Sequence, residues 1–147
     1  MAGRWPRPTL LVLSVLLAAA WLALAAAETR YEKFLRQHVD WPQTSAADAR
    51  RYCNLLMQRR GMATASSCKR LNTFIHADPA QVAAVCGSAG DPTSGDQRQS
   101  KGRFSLTVCE LQGGSQAPDC QYKGSTSTQR IVIACVNGDP VHFEKQL

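Results

Sequence analysis

Cys68-Lys69-Arg70-Leu71-Asn72-Thr73-Phe74, followed by Ile75, has no helical stripe. Its threonine, phenylalanine and isoleucine predict a strand over Cys68 to Ile75. This segment divides the chain into two regimes. Upstream, Thr29 to Val39 places Tyr31, Phe34, Leu35 and His38 on one helical face. Ser45 to Asp48 has the spacing of a capping box and predicts a second helix with Ala49, Tyr52, Cys53, Leu56 and Met57 buried. Gly61 stands where a left-handed cap belongs. Just downstream, Asp78, Pro79 and Gln81 open a short third helix whose apolar residues Val82, Val85 and Cys86 stop before Gly87.

Beyond Gly87 the pattern changes. The stretch Gly87 to Gly102 is rich in Gly, Ser, Asp and Pro and is expected to be a mobile surface loop. Phe104, Leu106 and Val108 then alternate with Ser105, Thr107 and Cys109. Gly113-Gly114 turns the chain, Cys120 to Gly124 starts another strand, and Ile131 to Val136 reads as the most buried one. Asn137-Gly138-Asp139-Pro140 is a turn returning Val141-His142-Phe143 as the last strand. The expected fold is α+β, with three short helices packed on a bent antiparallel sheet.

The first residues are not expected to belong to this domain. Arg4 and Arg7 precede an apolar run from Leu10 to Leu24, and Ala25-Ala26-Ala27 supplies small residues for a signal peptidase. Residues 1 to 27 are therefore read as a signal peptide and 28 to 147 as the mature domain, secreted to the extracellular space. Two of the 17 Lys and Arg residues fall in that leader, leaving 15 against 11 acidic residues and a mature net charge of +4. Such a balance favours polyanions. All 6 cysteines, Cys53, Cys68, Cys86, Cys109, Cys120 and Cys135, lie in the mature part. An oxidising route and a small core argue for disulfides, and the absence of any C-x-x-C pair argues against a zinc site. Spacing alone does not choose among the pairings.

Written C-K-x-x-N-T-F, the opening stretch resembles the signature of the pancreatic-type ribonuclease (ribonuclease A) superfamily. Gln37-His38 and Pro140-Val141-His142-Phe143 resemble its other two active-site segments, in the same order. The likeness spans the mature chain, and its closest flavour is angiogenin-like: six cysteines, Arg59-Arg60-Gly61 after the second helix, and Asn72 to His76 on the strand. It implies pairing of Cys53 with Cys109, Cys68 with Cys120, and Cys86 with Cys135.

The residue types suit that chemistry. Cutting RNA without a metal requires a base for the 2′-hydroxyl proton, an acid for the departing 5′-oxygen and a cation beside the phosphorane. Two imidazoles serve, because histidine titrates near neutrality. The resemblance implies His38 as base, His142 as acid and Lys69 as the cation, with Gln37 and the Phe143 backbone on phosphate oxygens. Thr73 would pair with a pyrimidine edge, Phe143 would pack on that base, and Lys33 and Arg36 would contact a neighbouring phosphate. Taken singly, each residue has a plainer reading: a core histidine, a surface cation, a strand threonine. Their conjunction across three distant segments carries the argument.

His76 is assigned to packing. Arg59 and Arg60 read as cations offsetting a helix dipole, or as a basic patch of the angiogenin type. Glu144 stands where the family has an aspartate that orients the acid histidine. Val136 and Val108 replace acidic residues of the base-binding sites, which points to low turnover. No cofactor is expected. Single-stranded RNA is the expected partner, with a ribonuclease inhibitor and anionic cell-surface polymers as further candidates, and the mature chain is expected to be monomeric without integral membrane association. The competing class is a cationic host-defence or angiogenic signalling protein in which catalysis is secondary.

Overall fold

The computed structural model describes residues 27–147, so the leader reading lies outside the described residues. Helix α1 (Arg30–His38) is opened by Thr29, whose hydroxyl accepts from the Glu32 N–H at 3.0 Å while the Glu32 carboxylate accepts from the Thr29 N–H at 3.2 Å. Helix α2 (Ala49–Arg59) buries Tyr52, Cys53, Leu56 and Met57, as its periodicity predicted. Its cap differs from expectation. Asp48 itself is the N-cap, accepting from the Arg51 N–H at 2.8 Å, and no capping box forms from Ser45. A carboxylate at that position satisfies an orphan N–H and faces the positive end of the helix, so the chain starts the helix there. Gly61 adopts φ +78° just beyond α2, the left-handed conformation expected of it.

Strand β1 (Leu71–Ile75) is followed by α3 (Pro79–Ala83), which tightens into a 3₁₀ turn at Ala84–Cys86. Then come β2 (Gly90–Pro92), β3 (Gln97–Ser100), β4 (Phe104–Leu111), β5 (Tyr122–Gln129), β6 (Ile131–Val136) and β7 (Asp139–Gln146). The pairings between these strands are antiparallel, and the strands divide into a three-stranded sheet β1-β4-β5 and a four-stranded sheet β2-β3-β6-β7. The stretch expected to be a mobile loop thus contains two strands. Local composition lost to long-range pairing: β3 joins β6, and the Arg98 guanidinium donates to the carbonyls of Val85, Gly87 and Gly90 at 3.2, 2.7 and 2.7 Å.

Two apolar cores flank this framework. One gathers Phe34, Ile75, Val82, Leu106 and Ile133; the other gathers Tyr52, Leu56, Met57, Phe74 and Tyr122. Gly124 of β5 is required for the second, since a Cβ there would lie 2.2 Å from the Ala49 carbonyl oxygen. Disulfides Cys53–Cys109, Cys68–Cys120 and Cys86–Cys135 form as the resemblance implied, closing spans of 56, 52 and 49 residues. Asn137 and Gly138 both have positive φ, 52° and 82°, and make the tight β6–β7 hairpin.

Candidate active site

Helix α1 buries Phe34 and, one turn later, His38. His38 is 7% exposed, and its Nδ1 lies 2.9 Å from the Thr73 carbonyl oxygen. A carbonyl only accepts, so Nδ1 carries the hydrogen and Nε2 keeps a free lone pair. Phe143 stacks on the ring at 5.3 Å between centroids. Burial pushes the His38 pKa down from 6.5 to about 4; the Thr73 bond opposes this, while Lys69 and His142 add to it. At neutral pH the imidazole is neutral and held in one orientation.

Lys69 sits between the Cys68–Cys120 bridge and β1, with its backbone held at both ends. Its N–H donates to Met62 at 2.9 Å, and its carbonyl accepts from the Tyr122 hydroxyl at 2.6 Å. The ammonium donates to Asn72 Oδ1 at 3.0 Å, and Asn72 Nδ2 donates to the Gln37 carbonyl at 2.8 Å. Buried Asn72 therefore couples the cation to the turn of α1 that carries Gln37 and His38. Burial first, then the charges of Lys33 and Arg36, lowers the Lys69 pKa below the ordinary lysine value.

His142 projects from β7 and is exposed. The β6–β7 ladder shifts register on both sides of the Ala134↔His142 pair, the kind of irregularity that re-aims a side chain. Its Nε2 lies 3.7 Å from Glu144 Oε1, near enough for charge attraction but beyond hydrogen-bond length. Gln37, His38, Lys69, Thr73, His142 and Phe143 line one cleft of about 520 Å³, with Lys33 at its side. Arg36 is not among its lining residues: the guanidinium is held bidentately by Glu28 at 2.7 and 3.0 Å and also donates to the Arg60 carbonyl.

Several residues had no place in the sequence reading. Arg30 and Lys145 add cations to the cleft. Gln146 occupies the hydrogen-bonding group assigned to a base, since the Thr73 hydroxyl donates to Gln146 Oε1 at 3.0 Å. The alternation of His142, Glu144 and Gln146 on β7 was the available signal. His76 is buried away from the cleft, bonded to the Asp40 carbonyl at 3.1 Å and Thr107 Oγ1 at 2.7 Å. The two arginines after α2 separate: Arg59 is exposed, while Arg60 turns inward to the end of α1.

A family model described as pancreatic ribonuclease matches residues 29–144. The chain is 62% identical over 120 residues to a ribonuclease of Chelydra serpentina, covering 82% of this chain and 100% of that one. It is 41% identical over 140 residues to an angiogenin of Mus musculus, covering 95% and 94%. Among solved structures, green turtle egg white ribonuclease superimposes with a TM-score of 0.79 at 57% identity, covering 82% of this chain and 100% of that one.

Proposed function

Because the chain belongs to the pancreatic ribonuclease family and is a metal-independent endoribonuclease, we propose that it cuts single-stranded RNA after pyrimidines through the cleft formed by α1, β1 and β7. His38 Nε2 takes the proton of the ribose 2′-hydroxyl as that oxygen attacks phosphorus. The 5′-oxygen leaves with a proton from His142. The products are a 2′,3′-cyclic phosphate and a free 5′-hydroxyl, and water then opens the ring with the two histidines exchanging roles. Lys69 stabilises charge on the non-bridging oxygens, Gln37 and the Phe143 backbone hold them, and Lys33 attracts a neighbouring phosphate. DNA lacks the attacking hydroxyl and is not cut.

The observation that carries this reading is the His38 tautomer: Nδ1 is committed to the Thr73 carbonyl, and Nε2 remains free in a cleft shared with Lys69 and His142. Thr73, whose hydroxyl both donates and accepts, supports reading of either pyrimidine. Digestion of a mixed-sequence RNA in excess EDTA, with the new 3′ ends mapped, tests the proposal. Cyclic phosphates after U and C are expected, and undiminished cutting by His142→Ala would sink it.

A weak, angiogenin-like turnover is part of the proposal, supported by the Gln146 contact to Thr73. Export after removal of residues 1 to 27 is supported by the three disulfides. N-terminal sequencing of protein recovered from the medium of expressing cells should begin at Glu28, and retention inside the cell would refute it.

A further inference from the structure

Resting on that reading of His38, we infer that Arg60 is a positioning residue for the base, holding the last turn of α1 from the end of α2. Arg60 Nη1 donates to the carbonyls of Arg36 and Val39 at 2.9 and 2.8 Å and reaches that of Leu35 at 3.4 Å. Its Nη2 meets Asp40 Oδ1 at 3.2 Å. Leu35 and Arg36 lie in the C-terminal turn that ends on His38, and Val39 caps it. The Leu35 carbonyl also accepts from the Val39 N–H at 3.0 Å; at this end of a helix carbonyls run short of backbone donors and the dipole favours a cation. The contact is reciprocal, because Arg36 of α1 donates back to the Arg60 carbonyl. Two guanidiniums thus clasp two helix ends, and the base lies between the clasped carbonyls of Arg36 and Val39.

The same geometry excludes a plainer role. The Arg60 donors are directed at four protein oxygens and the residue does not line the cleft, so it is poorly placed to bind an external polyanion. Exposed Arg59 is the member of the pair free to do so. Release of the clasp leaves His38 held by the Thr73 carbonyl and the Phe143 stack, on a helix end able to fray and admit water. The ionisable groups facing the ring are Lys69 from the segment before β1 and His142 from β7; both remain in place, and Arg60→Lys, which keeps the cation, separates a change of solvation from the loss of the charge itself.

The test compares Arg60→Ala, Arg60→Lys and Arg59→Ala for cleavage of a uridylyl-adenosine dinucleotide across pH, well below each variant's Tm, alongside the NMR titration of the His38 ring. Arg60→Ala should lose roughly ten- to a hundredfold in kcat with KM little changed. Its acid limb and the His38 titration should move up toward the ordinary histidine value. Arg60→Lys, which keeps the charge but cannot span the same oxygens, should recover only part of the rate. Arg59→Ala should match the parent. A lowered Tm with unchanged kcat and His38 titration would overturn the inference, as would a loss confined to KM. Should Arg60→Ala not fold, full activity of Arg60→Lys would overturn it and a reduced rate whose acid limb has moved to higher pH would support it. An inactive parent, or cleavage that survives His142→Ala, would overturn the catalytic reading itself.

Discussion

At the scale of single residues, the contact between Thr73 and Gln146 sets an expectation about rate. The hydroxyl proposed to read a pyrimidine already donates to the Gln146 amide oxygen at 3.0 Å, so substrate must displace that side chain before pairing. A neutral hydrogen bond of this kind is worth about 1 kcal/mol. Gln146→Ala should therefore raise kcat/KM on pyrimidine dinucleotides by roughly fivefold, and an unchanged or lowered value would show that the contact does not obstruct the site. His38 sets a second expectation. Its folded pKa of about 4 lies below the ordinary 6.5, so the unfolded chain binds the extra proton first. Stability from this group is complete above pH 6.5 and is lost as pH falls toward 4. Denaturant titrations should show the parent losing roughly 2 kcal/mol more than His38→Gln between pH 7 and pH 5. That His38, Lys69 and His142 come to line one cleft was legible in the sequence because the three segments that carry them are read together. Gln146 and Asn72 were not read as site residues, since their contacts depend on how β1 meets β7 and α1.

At the scale of elements, the legible parts were those whose signals are local. The buried stripes of α1 and α2, the Asp78-Pro79 opening of α3 and the Asn137-Gly138 hairpin all follow from residues within one turn of each other. Strands β2 and β3 were not legible, because their order comes from pairing with the distant β6, from Arg98 of β3 reaching back to the carbonyls of Val85, Gly87 and Gly90, and from the Cys86–Cys135 bridge. The junction of α1 with α2 has the same non-local character. Burial pushes the Asp40 carboxyl up, but hydrogen bonds from Tyr52 and from Thr44, with the nearby Arg60 charge, bring it below the usual carboxylate range. The Tyr52 hydroxyl donates to Asp40 at 2.6 Å, and His76 bonds the Asp40 carbonyl. Tyr52→Phe would leave a buried carboxylate short of one donor, costing about 1 to 3 kcal/mol in equilibrium unfolding. A cost near zero would mean that Thr44 and Arg60 suffice.

At the scale of the molecule, charge and covalent framework act on the same cleft. The Cys68–Cys120 bridge and the Tyr122 hydroxyl fix the segment carrying Lys69, while Arg30, Lys33 and Lys145 bring further cations to the cleft from α1 and β7. Composition announced a basic protein but could not say where the charge gathers, because Arg98 and Arg60 are spent on carbonyl oxygens and Arg36 on Glu28. Counting the cations of the cleft rather than those of the whole chain gives a testable number. Each phosphate neutralised on single-stranded nucleic acid contributes about −0.7 to the slope of log affinity against log salt. With Lys69, Lys33, Arg30 and Lys145 each meeting one phosphate, binding of an uncleavable oligodeoxyuridylate should show a slope of about −3. Arg30→Ala should make that slope shallower by about 0.7 while leaving kcat on a dinucleotide unchanged, since a dinucleotide has only the phosphate at the reaction centre. A slope unaffected by the substitution would place Arg30 outside the path of the strand, and the cation track would then end at Lys33.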